Sequence, residues 1–249
     1  MKKKLISLVI VLSVLAVVLG GCAGGGATGK LQFYANGEDF VRQGFVSKDG
    51  WSITFDHVYI TLSDIAAYQT EPPYDPASGT DIEPKATVAL DGAYTIDLAE
   101  GDENASPLLV AEVSGVAAGH YNALAWKMSK AASGPAAGHA LVMIGVAEKD
   151  GQVVNFNIQI DEECEYQCGE YVGDVRKGIV AEGSTADVQM TFHFDHIFGD
   201  GDLPLDDELN LGAVGFQPFA DGQAAADVID MAEMHLGHVG EGHCHCGCH

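Results

Sequence analysis

The chain has 249 residues, with 12 lysines and arginines against 36 aspartates and glutamates, for a formal net charge of −24. Such an excess of acid repels a phosphate backbone, which excludes nucleic acid as a partner, and it favours cations. With 47% apolar residues, about 200 ordered residues can bury a full core, and one domain or two small ones is expected.

Lys2, Lys3 and Lys4 precede an apolar run from Leu5 to Leu19 that closes on Leu19-Gly20-Gly21-Cys22. The run has about fifteen residues where a spanning helix needs roughly twenty. Positive, apolar and then small is the order of a signal peptide, here residues 1–21, cleaved before Cys22. The motif resembles the lipobox of bacterial lipoproteins. That resemblance implies acylation of Cys22, palmitate among the chains, and a mature protein held outside the cytoplasm on the periplasmic or cell-surface face of the envelope. Cleavage removes three lysines and no acid, leaving 9 Lys+Arg against 36 Asp+Glu, a formal charge of −27. Residues 22–30, rich in glycine from Gly24 to Gly29, read as a flexible tether.

Residues 31–220 predict an all-β domain, because the apolar segments are short, rich in β-branched and aromatic residues, and separated by Gly, Pro, Asp and Asn. Strands are expected near 31–35, 51–62, 86–98, 108–113, 120–128, 139–147, 152–160 and 185–196, arranged as an antiparallel β-sandwich, with a barrel as the alternative. In the second of these Trp51, Ile53 and Phe55 share one parity and Val58, Ile60 and Leu62 the other, so the apolar face switches at Asp56-His57. A β-bulge explains such a switch. Residues 70–85 carry four prolines and predict an irregular loop.

Thr54-Phe55-Asp56-His57 is echoed by His193-Phe194-Asp195-His196. If the two strands are neighbours, His57, His193 and His196 converge as metal ligands, with Asp56 and Asp195 as ligands or as acceptors that fix an imidazole tautomer. Histidines satisfied by nearby carboxylates are the alternative. His120 and His139, each after a glycine at a strand start, are weaker candidates. The loop 200–208 is acidic but lacks the oxygen spacing of an EF-hand and reads as a solvated turn.

Ile53-Thr54-Phe55-Asp56-His57-Val58, Gly119-His120-Tyr121-Asn122-Ala123-Leu124 and Phe192-His193-Phe194-Asp195-His196 together resemble segments of the periplasmic copper-binding, methanobactin-associated β-sandwich family and other small lipoprotein sandwiches. The resemblance implies a sandwich body and copper as a ligand.

Once Cys22 is acylated, Cys164, Cys168, Cys244, Cys246 and Cys248 remain, an odd number that cannot all pair within the chain. A local Cys164–Cys168 disulfide suits an oxidising compartment, and thiolate ligation is the alternative. Residues 221–249 predict a short helix over 221–234, with Val228, Met231 and Met234 inward, and then a flexible tail. That tail holds His235, His238, His243, Cys244, His245, Cys246, Cys248 and His249. Interleaved imidazoles, thiols and glycines predict transition-metal binding, zinc first, with copper, nickel or cobalt as alternatives.

The expected function is capture of a metal for a transporter or for buffering. A metalloenzyme is the second reading, although no His-Glu-x-x-His, nucleophile or phosphate loop supports catalysis, and the non-enzymatic reading leads. A ligand-binding sandwich with an incidental tail is the third.

Overall fold

The computed structural model describes residues 26–249. The expected signal peptide, residues 1–21, and Cys22 lie outside the described residues. The elements run β1 (Thr28–Asn36), α1 (Glu38–Gln43), β2 (Phe45–Val46), β3 (Ser52–Gln69), β4 (Ala86–Ala89), β5 (Ala93–Asp97), β6 (Leu108–Ala117), β7 (Gly119–His120), β8 (Ala123–Met128), β9 (Leu141–Lys149) and β10 (Gln152–Ile160). Then follow β11 (Cys164–Cys168), β12 (Ile179–Val180), β13 (Thr185–Phe192), α2 (Asp195–Phe198), α3 (Glu208–Gly212), α4 (Gln217–Ala220), α5 (Ala225–Val228), α6 (Met231–Met234), β14 (Gly237–Val239) and β15 (Gly242–Cys248). No helix among the described residues is long and apolar enough to cross a membrane.

The all-β expectation holds. Thirteen strands form one mixed sheet along the path β10-β9-β3-β8-β11-β15-β14-β13-β1-β6, with β2, β4 and β5 added on β3. This continuous sheet curls into a half-barrel, so the architecture lies between the expected sandwich and its barrel alternative. β1 and β13 are parallel, while the other pairs along the path are antiparallel.

Several local expectations hold for the reasons given. The β3–β9 register shifts between Phe55 and His57, placing a bulge at Asp56, and Ile53 is buried before it and Val58 after it. The expected strand over 86–98 is instead two, separated by Asp91-Gly92, where Gly92 has a φ of 88° that glycine adopts without strain. β1 begins at Thr28, so the last three residues of the expected tether are sheet. The expected helix over 221–234 is two single turns, α5 and α6. The Asp230 carboxylate accepts from the Ala232 N–H at 3.1 Å to start the second, and Met231 and Met234 are buried.

The largest departure is at the C-terminus. Residues 235–249 are not a flexible tail: β14 and β15 lie inside the sheet, β14 against β13 and β15 against β11. The even-numbered Cys244, Cys246 and Cys248 face the interior side and the odd-numbered His243 and His245 face solvent, the period-two alternation of a half-buried strand. Among the described residues β15 is the strand through which the two halves of the sheet are hydrogen-bonded together, β3, β8, β9, β10 and β11 on one side and β1, β6, β13 and β14 on the other.

The curl encloses an aromatic core. Phe198 and Phe216 are fully buried, and Phe45, Phe55, Phe156, Phe194 and Phe219 pack with them at ring-centroid distances of 5.3–6.3 Å. Each buried phenylalanine contributes about 1.5–3 kcal/mol by area removed from water. Phe194 and Phe198 fix α2 against this core, and α2 carries one end of the site described next.

Candidate metal centre

Two residues of the ligand set expected in the body, His193 and His196, and one of the set expected in the tail, His238, meet as a single cluster. β13 ends at Phe192, and the chain turns at once into α2, which sets His193 and His196 on one side of that turn while Phe194 points into the core. β14 runs antiparallel beside it, pairing His238 with Thr191, and the His193 N–H donates to the Leu236 carbonyl at 3.0 Å. The rings of His193 and His238 stack at 4.2 Å, with His196 edge-on at 5.5 Å and 5.0 Å from them. One ring nitrogen from each of the three lies within 4.8 Å of the others.

Tautomers follow from the partners. His196 Nδ1 lies 3.0 Å from the Met234 carbonyl and His238 Nε2 lies 2.8 Å from the His235 carbonyl. A carbonyl only accepts, so these nitrogens carry the proton, leaving a lone pair on His196 Nε2 and on His238 Nδ1. His238 Nδ1 and His193 Nε2 are both buried without a hydrogen-bond partner among the described residues, as is Asp195 Oδ1. A buried polar atom left unsatisfied costs about 1–3 kcal/mol. The two unpartnered ring nitrogens belong to the group of three imidazoles whose nitrogens lie within 4.8 Å of one another, an arrangement that suits an occupant accepting lone pairs, whereas Asp195 is outside that group.

Electrostatics agree. Burial, aided by the neighbouring His193, His196 and His243, pushes His238 down to about 3, so its imidazole is neutral. Burial also holds His193 below the ordinary imidazole range, against the pull of Asp195. Glu38, whose Oε1 lies 3.6 Å from His193 Nε2, is pushed up to about 7 by burial and then by the carboxylates of Glu241, Asp195 and Asp39. Neutral imidazoles beside a carboxyl that other carboxylates crowd make surroundings that suit a cation. Glu38 also adopts a φ of 59°, uncommon for a residue with a side chain, and it lines a cleft of about 510 Å³ with Asn36, Asp39, Phe40, Gln43 and Gly44.

The other expected ligands lie elsewhere. His57 is not part of the cluster: the bulge at Asp56 leaves both side chains exposed, and His57 Nδ1 pairs with Asp97 Oδ2 at 2.7 Å while its ring stacks on Tyr59. β3 is separated from β13 in the sheet by β8, β11, β15 and β14, which is why the repeated triplet does not converge. His235 contributes its carbonyl and not its exposed ring. His243 sits beside His238 at 4.9 Å, opposite it in register. His245 and His249 are exposed on the outer side. His120 approaches Glu170 and His139 pairs with Asp161, the satisfied alternative. In the loop 200–208, buried Asn210 donates to the carbonyls of Asp200, Leu203 and Pro204, which makes it a tied-down turn.

The cysteines also correct an expectation. Cys164 and Cys168 do not pair with each other. They share one face of β11 two strand positions apart on either side of Tyr166, each directly opposite a cysteine of β15, and the disulfides are Cys164–Cys248 and Cys168–Cys244. Cys244 and Cys248 are therefore not ligands in the oxidised chain, and among the described residues Cys246 is the free thiol. Burial pushes Cys246 up to about 11, which disfavours a thiolate.

Glu38 carries no ligand motif in the sequence and was not legible there. The His-x-x-His spacing of His193 and His196 was legible; its completion by His238 depends on a strand pairing. No protein-family model, curated protein or solved structure matches the chain.

Proposed function

We propose that the chain is an extracytoplasmic lipoprotein that binds a transition metal and passes it to a transporter or buffers it. The observation that carries this reading is the convergence of His193, His196 and His238, two of them oriented by backbone carbonyls and two ending in buried nitrogens without partners. Three imidazoles with room for a fourth donor suit tetrahedral zinc, with copper, nickel and cobalt as competitors. Glu38 is the nearest additional donor. Attachment through Cys22 would keep the loaded protein beside its membrane partner.

Untagged protein is expected to take up one zinc ion per chain under oxidising conditions and to prefer it over nickel and cobalt in competition. A folded chain that takes up none of these ions overturns the reading. Replacing Cys22 with serine is expected to release the protein from membranes or to block its processing, and recovery of unmodified Cys22 from membrane-bound protein contradicts the anchor.

A zinc enzyme is the second reading, favoured by one observation: Glu38 stands between the imidazoles and the cleft, where a base would meet substrate. Hydrolysis of an activated ester by the zinc-loaded protein, lost in Glu38→Gln with zinc affinity retained, would support it.

A further inference from the structure

We propose that Cys164, Cys246 and Cys248 form a second metal site, for copper(I), that opens when the Cys164–Cys248 disulfide is reduced. It is separate from the imidazole centre and does not rest on it. The Cys246 sulfur lies 3.3 Å from that of Cys248, and one sulfur from each of the three cysteines falls within 4.8 Å of the others. Two antiparallel strands produce this cluster: Cys164 stands opposite Cys248, and Cys246 is next along the same face of β15. Sulfurs this close, on backbones held in register, need only lose one covalent bond to become three donors around a point.

The surroundings suit a soft ion. Met128 is fully buried and pairs with Cys164 across β8, adding a thioether to the same row. Tyr166 pairs with Cys246, and its hydroxyl is buried with no hydrogen-bond partner among the described residues. That hydroxyl can donate to a thiolate, which a neutral thiol does not require. Register puts Tyr166 on the face of β11 that carries the sulfur cluster, directly across from Cys246.

The two disulfides differ in access. Cys168 is fully buried and Cys244 nearly so, whereas Cys248 is part-exposed. A small dithiol donor reaches Cys248 first. Its thiolate attacks the Cys248 sulfur and releases the Cys164 thiolate. Its second thiol then resolves the mixed disulfide, so the donor leaves oxidised and Cys164 and Cys248 are both reduced. Cys168–Cys244 remains and keeps β15 in register on β11. Copper(I) then replaces the protons of the thiols it binds, which are released to solvent.

The test uses full-length mature protein, oxidised or mildly reduced with dithiothreitol that is then removed, titrated with copper(I) against a chromophoric copper(I) chelator. Mild reduction is expected to make Cys164 and Cys248, together with Cys246, the cysteines that alkylate once the protein is unfolded in denaturant, to leave the near-ultraviolet dichroism of the Trp126–Tyr166 stack intact before unfolding, and to tighten copper(I) binding by about a hundredfold or more. Reduced Cys246→Ser has the same disulfide opened but lacks one donor, and it should lose at least about tenfold of that gain, the least that even a lost supporting partner costs a metal site. His238→Ala should keep the reduction-dependent gain, which separates this site from the imidazole centre. Equal copper(I) affinity of oxidised and reduced protein, or of reduced wild type and reduced Cys246→Ser, overturns the proposal. So does loss of the native dichroism on mild reduction, or reduction of Cys168–Cys244 in step with Cys164–Cys248.

Discussion

At His238, burial and coordination chemistry act in one direction. The ring is nearly inaccessible, its Nε2 is committed to the His235 carbonyl, and its Nδ1 faces two other imidazoles with nothing to accept from. His57 shows the opposite case: an exposed ring with a carboxylate partner is satisfied without an ion. Residue chemistry also fixes how Cys246 behaves. Its thiol sits at about 11 against an ordinary 9.0, chiefly through burial and despite the lowering influence of the Tyr166 hydroxyl. Because the folded value lies above the unfolded one, its contribution to stability is complete below about pH 9 and is lost as pH rises through about 11. Native protein should thus alkylate slowly at Cys246 near pH 8 and progressively faster toward pH 11, and Cys246→Ser should flatten the alkaline limb of a denaturation-versus-pH series. Rapid labelling at pH 8 with the disulfides intact would contradict the buried, protonated thiol.

The β14–β15 hairpin is the element on which the site depends. Gly237 lies so close to the Trp126–Tyr166 stack that an added Cβ would meet Tyr166 Cδ1 at 2.6 Å and Trp126 Cζ2 at 3.0 Å. At the turn, Gly240 has a φ of 60° and an added Cβ would meet the Val172 carbonyl oxygen at 2.0 Å. Gly237→Ala should therefore cost about 1–3 kcal/mol, the usual scale of overpacking, in urea unfolding. It should also weaken zinc binding, because the stack can relieve the clash only by moving the strand that carries His238. Unchanged stability would show that the stack yields freely. The glycines explain why the sequence points to a flexible tail here. Gly237, Gly240, Gly242 and Gly247 suggest chain freedom, whereas here Gly237 permits close packing and Gly240 a tight turn. The alternation from His243 to Cys248 is a strand pattern carried by the same residues that supply ligand chemistry. The bulge at Asp56 was legible because hydrophobic parity reports it directly. The site was half legible, since His193 and His196 are neighbours in the chain. Their meeting with His238, and the pairing of cysteines 76 and 84 residues apart, depend on which strands lie side by side, which periodicity does not encode.

On the scale of the whole molecule, the last strand holds the sheet together. β15 is hydrogen-bonded to β11 on one edge and β14 on the other, and two disulfides tie it to β11. Each such cross-link is worth about 2–5 kcal/mol for loops of this length. A chain ending at Met234 would lose the hairpin, both disulfides and one ligand together. It is expected to lose cooperative thermal unfolding, and a cooperative transition like that of the full chain would show the half-barrel to be independent of its C-terminus. The proposed metal centre and the fold are thus joined in one hairpin, inside a strongly acidic chain whose charge favours cations. The most direct test of the central claim is a zinc titration against a chromophoric chelator, made on oxidised wild type, on His238→Ala and on His245→Ala/His249→Ala. One tight zinc equivalent is predicted in the wild type and in the double variant, with affinity reduced at least about a hundredfold in His238→Ala, as for a lost ligand as opposed to a lost supporting partner. Retention of tight zinc by His238→Ala, with its loss from the double variant, would contradict a buried imidazole centre and return the binding to the exposed histidines.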